Sequence, residues 1–393
     1  MNTNIFNPEV QKFLQEYLKD DVNRIALSKS PFAEVSSREL AEQLDGKQRT
    51  QKKLPLWHDT PGIIFPAKLS IEQSSSELTA EYKSGLARGD KLIDLTGGFG
   101  VDTFFFSKKL KKVIHCEENT ELSEIAKHNL SVLGANNISF INSDSIEYLK
   151  STSETFDTIY ADPSRRIQSK KVFLLRDTEP DVVSNLPLLL SRASRIIIKT
   201  SPLFDIQSGL RELSNVSEVH VISIKNDCKE LLWVIDKGFT GEAQIICTAI
   251  GQSAERTFGF KFSDERNLVL DSHAAPRNYL YEPDVALLKA GGFKNIAFRF
   301  EMEKLQQNTH LYTSDNLIQN FIGKTFKVNA VQDYKSFIKG NQVKKANVIS
   351  RNFPHSPEML KKKHKITDGG EDFFIFTTVF PDKLQVIYAT IKP

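Results

Sequence analysis

The sequence predicts an α/β protein: a mostly parallel, helix-covered sheet, preceded by an N-terminal helical region and followed by a separate C-terminal α+β module. Three patterns carry that expectation. From Lys91 onward, short apolar runs at residues 92–95, 113–116, 138–141, 158–161 and 196–199 alternate with helical spacing, clearest in Leu122, Ile125, Ala126 and Leu130, and this rhythm is βαβ. Beyond Gly238 the rhythm gives way to isolated strands over 244–250 and 257–262 and a helix over 283–290 ahead of Gly291-Gly292. From residue 325 the chain reads β, α, β, α, β, β, over 325–331, 334–338, 346–351, 357–363, 372–380 and 384–390.

The remaining elements follow from the same periodicities. Val10, Phe13, Leu14, Tyr17 and Leu18 could share one helical stripe and Leu40 and Leu44 another, with Ser36 or Ser37 as N-cap of the second. Pro55, Pro61, Gly62 and Pro66 close that region. The runs 219–225 and 231–236, separated by Asn226-Asp227-Cys228-Lys229-Glu230, form an antiparallel pair because the connection is short. The expected divisions are 1–66, 67–238, 239–322 and 323–393.

Composition bounds the function. At roughly 150 residues per domain, 393 residues make two to three domains. Apolar residues at 40% and charged residues at 26% exclude a disordered or collagen-like chain, and the 27 phenylalanines read as core packing. A net charge of +3 commits the whole to no polyanion, so any nucleic-acid surface is a local patch. Cys116, Cys228 and Cys247 are widely spaced and odd in number, which argues against a disulfide framework or a metal site and fits a reducing compartment. Glu9, Glu16, Asp20 and Asp21 interrupt the region where a signal peptide would be apolar, and no run approaches ~18 apolar residues. The expectation is a cytoplasmic protein with no membrane partner and no metal.

The chemistry should sit where Leu92-Ile93-Asp94-Leu95-Thr96-Gly97-Gly98-Phe99-Gly100-Val101-Asp102 runs from a buried strand through a glycine turn into a helix. Such glycines permit positive φ and close backbone approach to a ligand at the carboxyl edge of a parallel sheet. The spacing is not the dinucleotide fingerprint G-x-G-x-x-G. Glu117 ends the next strand, where an acid can take both hydroxyls of a ribose, and Glu118 competes with it. Asp144, in Asn142-Ser143-Asp144-Ser145, follows the third strand, and Asp162-Pro163-Ser164-Arg165-Arg166 ends the fourth. Each acid singly could be a helix N-cap. Four at successive strand ends point to one ligand-binding edge.

The acid-x-x-x-Gly-x-Gly turn resembles the first motif of class I S-adenosylmethionine (SAM) dependent methyltransferases, and residues 69–234 look like such a domain, nearest in style to RNA base methyltransferases of the trimethylguanosine synthase type. Together with Asp162-Pro163-Ser164-Arg165-Arg166 the turn resembles a bacterial group carrying a THUMP-like domain. Residues 70–83 resemble that group's helix before the first strand, 279–284 and 308–315 its intermediate ferredoxin-like segment, and 346–354 with 367–370 its THUMP-like domain.

The resemblance implies a Rossmann-like sheet holding SAM at Asp94, Thr96, Gly97, Gly98, Gly100, Asp102, Glu117, Asp144 and Ser145, with Glu117 on the ribose and Asp144 near the adenine amino group. It implies a catalytic edge at Asp162, Pro163, Ser164 and Arg165, with Asp162 orienting a target amine. Arg165 stands where amino-directed relatives carry an aromatic; Arg165 and Arg166 could grip substrate phosphate or carboxylate, or pair with Asp177 and Glu179. THUMP domains proper deliver the acceptor end of tRNA to a linked enzyme, so the implied substrate is structured RNA, tRNA or rRNA. Independently, Lys344, Lys345, Arg351, Lys361, Lys362, Lys363 and Lys365 crowd the terminal module with Glu358 as the lone acid among them. That is either a phosphate-binding face, with Lys361, Lys362 and Lys363 at its centre, or a solvated helix face. His355 and His364 read as surface residues. The expectation is SAM-dependent methylation of a base nitrogen in structured RNA. Its rivals are a small-molecule or protein methyltransferase and a catalytically silent SAM- and RNA-binding assembly factor.

Overall fold

Helix formation at the N-terminus follows the two stripes: Val10 and Leu14 on helix Pro8–Glu16 pack with Leu40, Ala41 and Leu44 on helix Ser37–Lys53. Ser36 caps the second helix. Its hydroxyl accepts from the Glu39 amide at 3.2 Å while the Glu39 carboxylate accepts from the Ser36 amide at 2.8 Å. Pro55 does not close the region; it opens a further short helix, Pro55–Asp59, because a proline at the first helical position sacrifices no hydrogen bond. That helix plants the fully buried Trp57 against Phe104 and Phe105.

This computed structural model describes residues 2–165, 175–251, 255–270, 273–340 and 345–392. It divides into two units, Met1–Ser217 with Leu232–Gly241, and Glu218–Leu231 with Glu242–Pro393. The sheet of the first unit contains β1 (Lys91–Asp94), β2 (Lys112–Cys116), β3 (Ile138–Ile141) and β4 (Phe156–Ala161). Ser164–Arg165 (β5) and Thr178–Glu179 (β6) form a separate two-residue antiparallel ribbon, and Ala193–Thr200 is β7. The order β7-β4-β1-β2-β3 is parallel throughout. All five strands therefore present their carboxyl ends at one edge, with β1 and β4 central. The apolar residues of β1, β2, β4 and β7, Leu92, Ile93, Val113, Ile159, Ile196 and Ile197 among them, are almost wholly buried, as a sheet covered on both faces requires, while Ile138, Phe140 and Ile141 on the edge strand β3 are half-buried.

The segment before β1 departs from the expected single helix over 70–83. It is two helices, Lys68–Gln73 and Glu77–Ser84. Ser74 and Ser76 both take extended backbone, and Ser76 caps the second helix by accepting from the Thr79 amide. Short hydroxyl side chains that compete for backbone hydrogen bonds break the helix here.

The hairpin β8 (Val216–Ile224) and β9 (Asp227–Asp236) turns on Lys225 and Asn226 alone, both at positive φ, so the strand begins at Asp227 and not after the polar stretch. Its tip belongs to the second unit. There β10 (Gln244–Ile250) runs parallel to β8, and β11 (Glu255–Phe260) antiparallel to β10. The helix expected over 283–290 starts at Val285 because Asp284 is its N-cap, accepting from the Ala286 amide at 2.9 Å.

The remaining strands are β12 (Tyr279–Pro283), β13 (Glu303–Gln306), β14 (Thr309–Ser314), β15 (Gly323–Asp333), β16 (Asn347–Arg351), β17 (Asp372–Val379) and β18 (Lys383–Lys392). They make one seven-stranded sheet in the order β13-β14-β12-β15-β18-β17-β16. With helices Tyr334–Gly340 and Pro357–His364, the last six elements are the β, α, β, α, β, β series that the periodicity predicts. Arg351 on β16 reaches the buried Glu282 of β12 at 2.6 Å, and Lys324 approaches the same carboxylate at 3.5 Å. No helix among the described residues is long and apolar enough to cross a membrane.

Candidate active site

The turn after β1 is held by a set of short hydrogen bonds that its own sequence supplies. Asp94 is 1% exposed. One carboxylate oxygen accepts from the Thr96 amide at 3.0 Å and the other from the Thr103 hydroxyl at 2.7 Å. Burial pushes this carboxyl up to about 7 against the opposing pull of Thr103. Gly97 lies directly over the buried His115 of β2, and a Cβ there would stand 2.3 Å from the imidazole Nε2. The Gly97 amide donates to Cys116 O at 2.8 Å, which fastens the turn to the next strand. Gly100 caps helix Val101–Ser107 in the left-handed conformation at φ +84°. A buried, almost solvent-free imidazole is costly to charge, and burial pushes His115 down to about 4.

Asp102, at the first turn of that helix, is the hub of a buried polar cluster. Lys83 from helix Glu77–Ser84 is fully buried, with its ammonium 2.9 Å from one Asp102 oxygen. The other oxygen accepts from the hydroxyls of Ser75 and Tyr160, each at 2.8 Å. Burial alone would raise the Asp102 carboxyl, and Lys83, with Lys199 beyond it, outweighs burial and holds it below the usual carboxylate range. The hydroxyls and ammonium that gather here come from the segment before β1, from β4 and from the serine break between the two helices.

The predicted acids take distinct positions. Glu117 is half-buried at the end of β2; it accepts from the Gly98 amide at 2.9 Å and from the Asn119 amide at 2.8 Å. Asp144 is exposed and caps helix Ser145–Ser151, accepting from the Glu147 amide at 2.8 Å, while Ser145 behind it is buried. Asp162, immediately past β4, donates its amide to the Thr96 hydroxyl at 2.7 Å, so the fourth strand end is tied to the turn after the first. Its carboxylate forms an ion pair with Lys199 near the end of β7. Pro163 is buried and Ser164 exposed. The backbone of Ser164 and Arg165 pairs with Thr178–Glu179. The Arg165 side chain and the whole of Arg166 lie outside the described residues, as does Lys344.

Lys83, Ser75, Tyr160, Thr103 and Lys199 are not among the residues the motifs select. Lys199 carries a readable signal, a cation ending an apolar run on a strand parallel to the one that bears Asp162. In the C-terminal module, Arg351 is committed to Glu282 and Lys361 pairs with Asp368 at 2.8 Å, while Lys362 and Lys363 stand exposed on helix Pro357–His364. His364 departs from the expected surface position. It is half-buried, stacks on Phe376 and lies 3.1 Å from the Tyr334 hydroxyl. Among the described residues no group of His, Cys, Asp and Glu could hold a metal ion.

The chain matches a ferredoxin-like domain family over residues 279–321 and a THUMP domain-like family over 323–390. Among curated proteins, none matches in sequence. The crystal structure of a candidate methyltransferase from Porphyromonas gingivalis W83 is similar over 100% of both chains, with 31% identity and a TM-score of 0.90. Streptococcus mutans SMU.1697c in complex with SAH aligns with 41% of this chain and 96% of its own, at 18% identity and a TM-score of 0.30. M. capricolum TrmK in complex with SAH aligns with 41% and 68%, at 16% identity and a TM-score of 0.33. The full-length likeness to the Porphyromonas protein, with the two C-terminal domain matches, places this chain in the class I methyltransferase family that carries a C-terminal THUMP-like domain.

Proposed function

We propose that this protein transfers the methyl group of SAM to structured RNA, tRNA or rRNA. The observation that carries the reading is the convergence on one turn. The amide of Gly98 is bound by Glu117, and the hydroxyl of Thr96 is bound by the amide of Asp162, so an acid suited to a ribose and an acid suited to an acceptor flank the turn two residues apart. The turn also has room for a ligand, since a Cβ at Gly98 would meet nothing nearer than 3.7 Å. In this reading Asp94, Thr96, Gly97, Gly98, Gly100 and Asp102 form the cofactor bed, Glu117 takes the ribose hydroxyls, and Asp144 and Ser145 border the adenine. When bound, the sulfonium supplies an activated methyl group that needs an acceptor placed in line with it.

Positioning is then what the protein contributes, and Asp162 with Pro163, Ser164 and Arg165 forms the edge where the acceptor is held. Exposed Lys362 and Lys363, with Lys361, supply cations for RNA phosphates. The full-length likeness to the Porphyromonas candidate methyltransferase supports the class of reaction, and the THUMP-like match supports the class of substrate.

Calorimetric titration tests the cofactor half. The wild type should bind SAM and S-adenosylhomocysteine, and Glu117→Ala, which loses charge-assisted hydrogen bonds of roughly 1.5–3 kcal/mol, should bind about tenfold or more weakly. Absence of wild-type binding refutes the reading. Transfer of labelled methyl from SAM to tRNA and rRNA isolated from cells lacking the gene tests the substrate half.

A further inference from the structure

Resting on that reading, we infer that the acceptor is a hydroxyl, and in RNA the ribose 2′-hydroxyl, held between Asp162 and Lys199. The resemblance to amino-directed methyltransferases implies a base nitrogen, with Asp162 orienting the target amine. The structure adds the cation. β4 and β7 are parallel neighbours in register through Ala161 and Ile198, so the next residues along, Asp162 and Lys199, emerge together at the carboxyl edge. They form an ion pair there, with side chains 29% and 14% exposed. Thr96 anchors the Asp162 backbone to the cofactor turn. The nearby Lys83, by contrast, is fully buried and spent on Asp102 and Ser75, so it cannot reach an acceptor.

A lysine ammonium beside the acceptor discriminates between the two chemistries. An amine nitrogen attacking a methyl group gains positive charge in the transition state, and a fixed cation against it opposes the reaction. A hydroxyl must shed its proton, and its oxygen gains negative character as it does so. Here Asp162 accepts the hydroxyl's hydrogen bond and then its proton, while Lys199 donates to the attacking oxygen and stabilises the charge left on it. The oxygen forms a bond to the methyl carbon, the carbon–sulfur bond breaks, and its electron pair stays on sulfur as the neutral thioether. The proton on Asp162 passes to water, to which that side chain is open. Charge balances: the sulfonium and the carboxylate are both neutralised, and Lys199 remains an ammonium.

The test begins with where the label goes in the wild-type protein. RNA from cells lacking the gene is methylated with labelled SAM and hydrolysed in alkali. Methyl on a 2′-oxygen blocks cleavage and leaves labelled dinucleotides, which is the expected result. Label confined to base-modified mononucleotides overturns this inference while leaving the RNA methyltransferase reading intact; no label in RNA refutes that reading and the inference with it.

A binding measurement gives a second readout. An unmethylated RNA fragment spanning the labelled position, in the presence of S-adenosylhomocysteine, should bind about tenfold more tightly than the same fragment carrying a 2′-deoxy residue at that position, and Lys199→Met should bring the two within about twofold. A preference unchanged by the substitution overturns the role of Lys199. The same variant should keep S-adenosylhomocysteine affinity and lose about 100-fold or more in transfer rate. A variant that transfers as fast as wild type, or faster, is the behaviour expected of an amine acceptor and refutes the proposal.

Discussion

Replacing Lys83 by methionine should destabilise the first unit far more than a surface charge change would. Lys83 is 0% exposed and Asp102 only 11%, so removing the ammonium strands a carboxylate that burial already disfavours. The Ser75 and Tyr160 hydroxyls would remain as donors to one oxygen, but the ammonium 2.9 Å from the other would be gone. Breaking one side of such a buried pair costs about 3–5 kcal/mol. For a unit of this size each kcal/mol moves the melting midpoint by about 2–4 °C, so the loss should be roughly 6–20 °C.

The pH dependence should also reverse. In the wild type the Asp102 carboxyl lies below its unfolded value, so the unfolded state binds more protons and this group's contribution to stability is lost as pH falls through the folded pKa. Without Lys83, burial dominates, the folded carboxyl rises above its unfolded value, and acidification should narrow the deficit. Urea unfolding between pH 4 and pH 8, followed by tryptophan fluorescence from the buried Trp57 and Trp233, reads both effects. A variant within about 1 kcal/mol of wild type at pH 8, or a deficit that widens on acidification, would refute the reasoning.

Asp94, whose folded carboxyl is raised to about 7 against roughly 3.9 when unfolded, binds more protons folded than unfolded in between. Its contribution to stability is therefore present at low pH and lost as pH rises toward and through 7, and Asp94→Asn should flatten that part of a stability–pH curve. Gly97→Ala forces a methyl to within 2.3 Å of the buried His115 ring, so it should cost about 1–3 kcal/mol in unfolding experiments and lower SAM affinity at least tenfold by calorimetry. Reversing Lys361, Lys362 and Lys363 to glutamate should lower the slope of log RNA affinity against log salt by about 0.7–0.9 for every phosphate that is no longer neutralised, measured by filter binding.

Most of the fold is legible in the sequence because its signals are local. A buried parallel strand is an apolar run, and each of the five runs predicted in the first unit lies within or beside a strand of its sheet. Capping serines and the alternation over 325–390 define the terminal module in the same way. What stays hidden depends on distant partners. Nothing around Asp102 tells of Lys83, nineteen positions earlier on another helix, and Tyr160 reads only as strand core until its hydroxyl is seen on Asp102. Asp162 is evident from its own strand end, but its counter-ion needs the knowledge that β4 and β7 are neighbours in register. The break at Ser74–Ser76 is hidden because the helix over 70–83 is expected from a family resemblance alone, which does not register the hydroxyls that compete for backbone hydrogen bonds there.

The two C-terminal family matches meet between residues 321 and 323, and β15 begins at that seam. Yet β15 pairs on one side with β12, from the ferredoxin-like match, and on the other with β18, from the THUMP-like match, while Arg351 neutralises Glu282 across the same boundary. Inheritance and folding therefore draw their borders in different places. A gene fragment ending at residue 322 would encode a sheet with a raw edge and a stranded internal anion, prone to recruit a second copy of itself along β12. Shuffling either match alone onto another enzyme should fail for the same reason, and the smallest portable cassette is the pair.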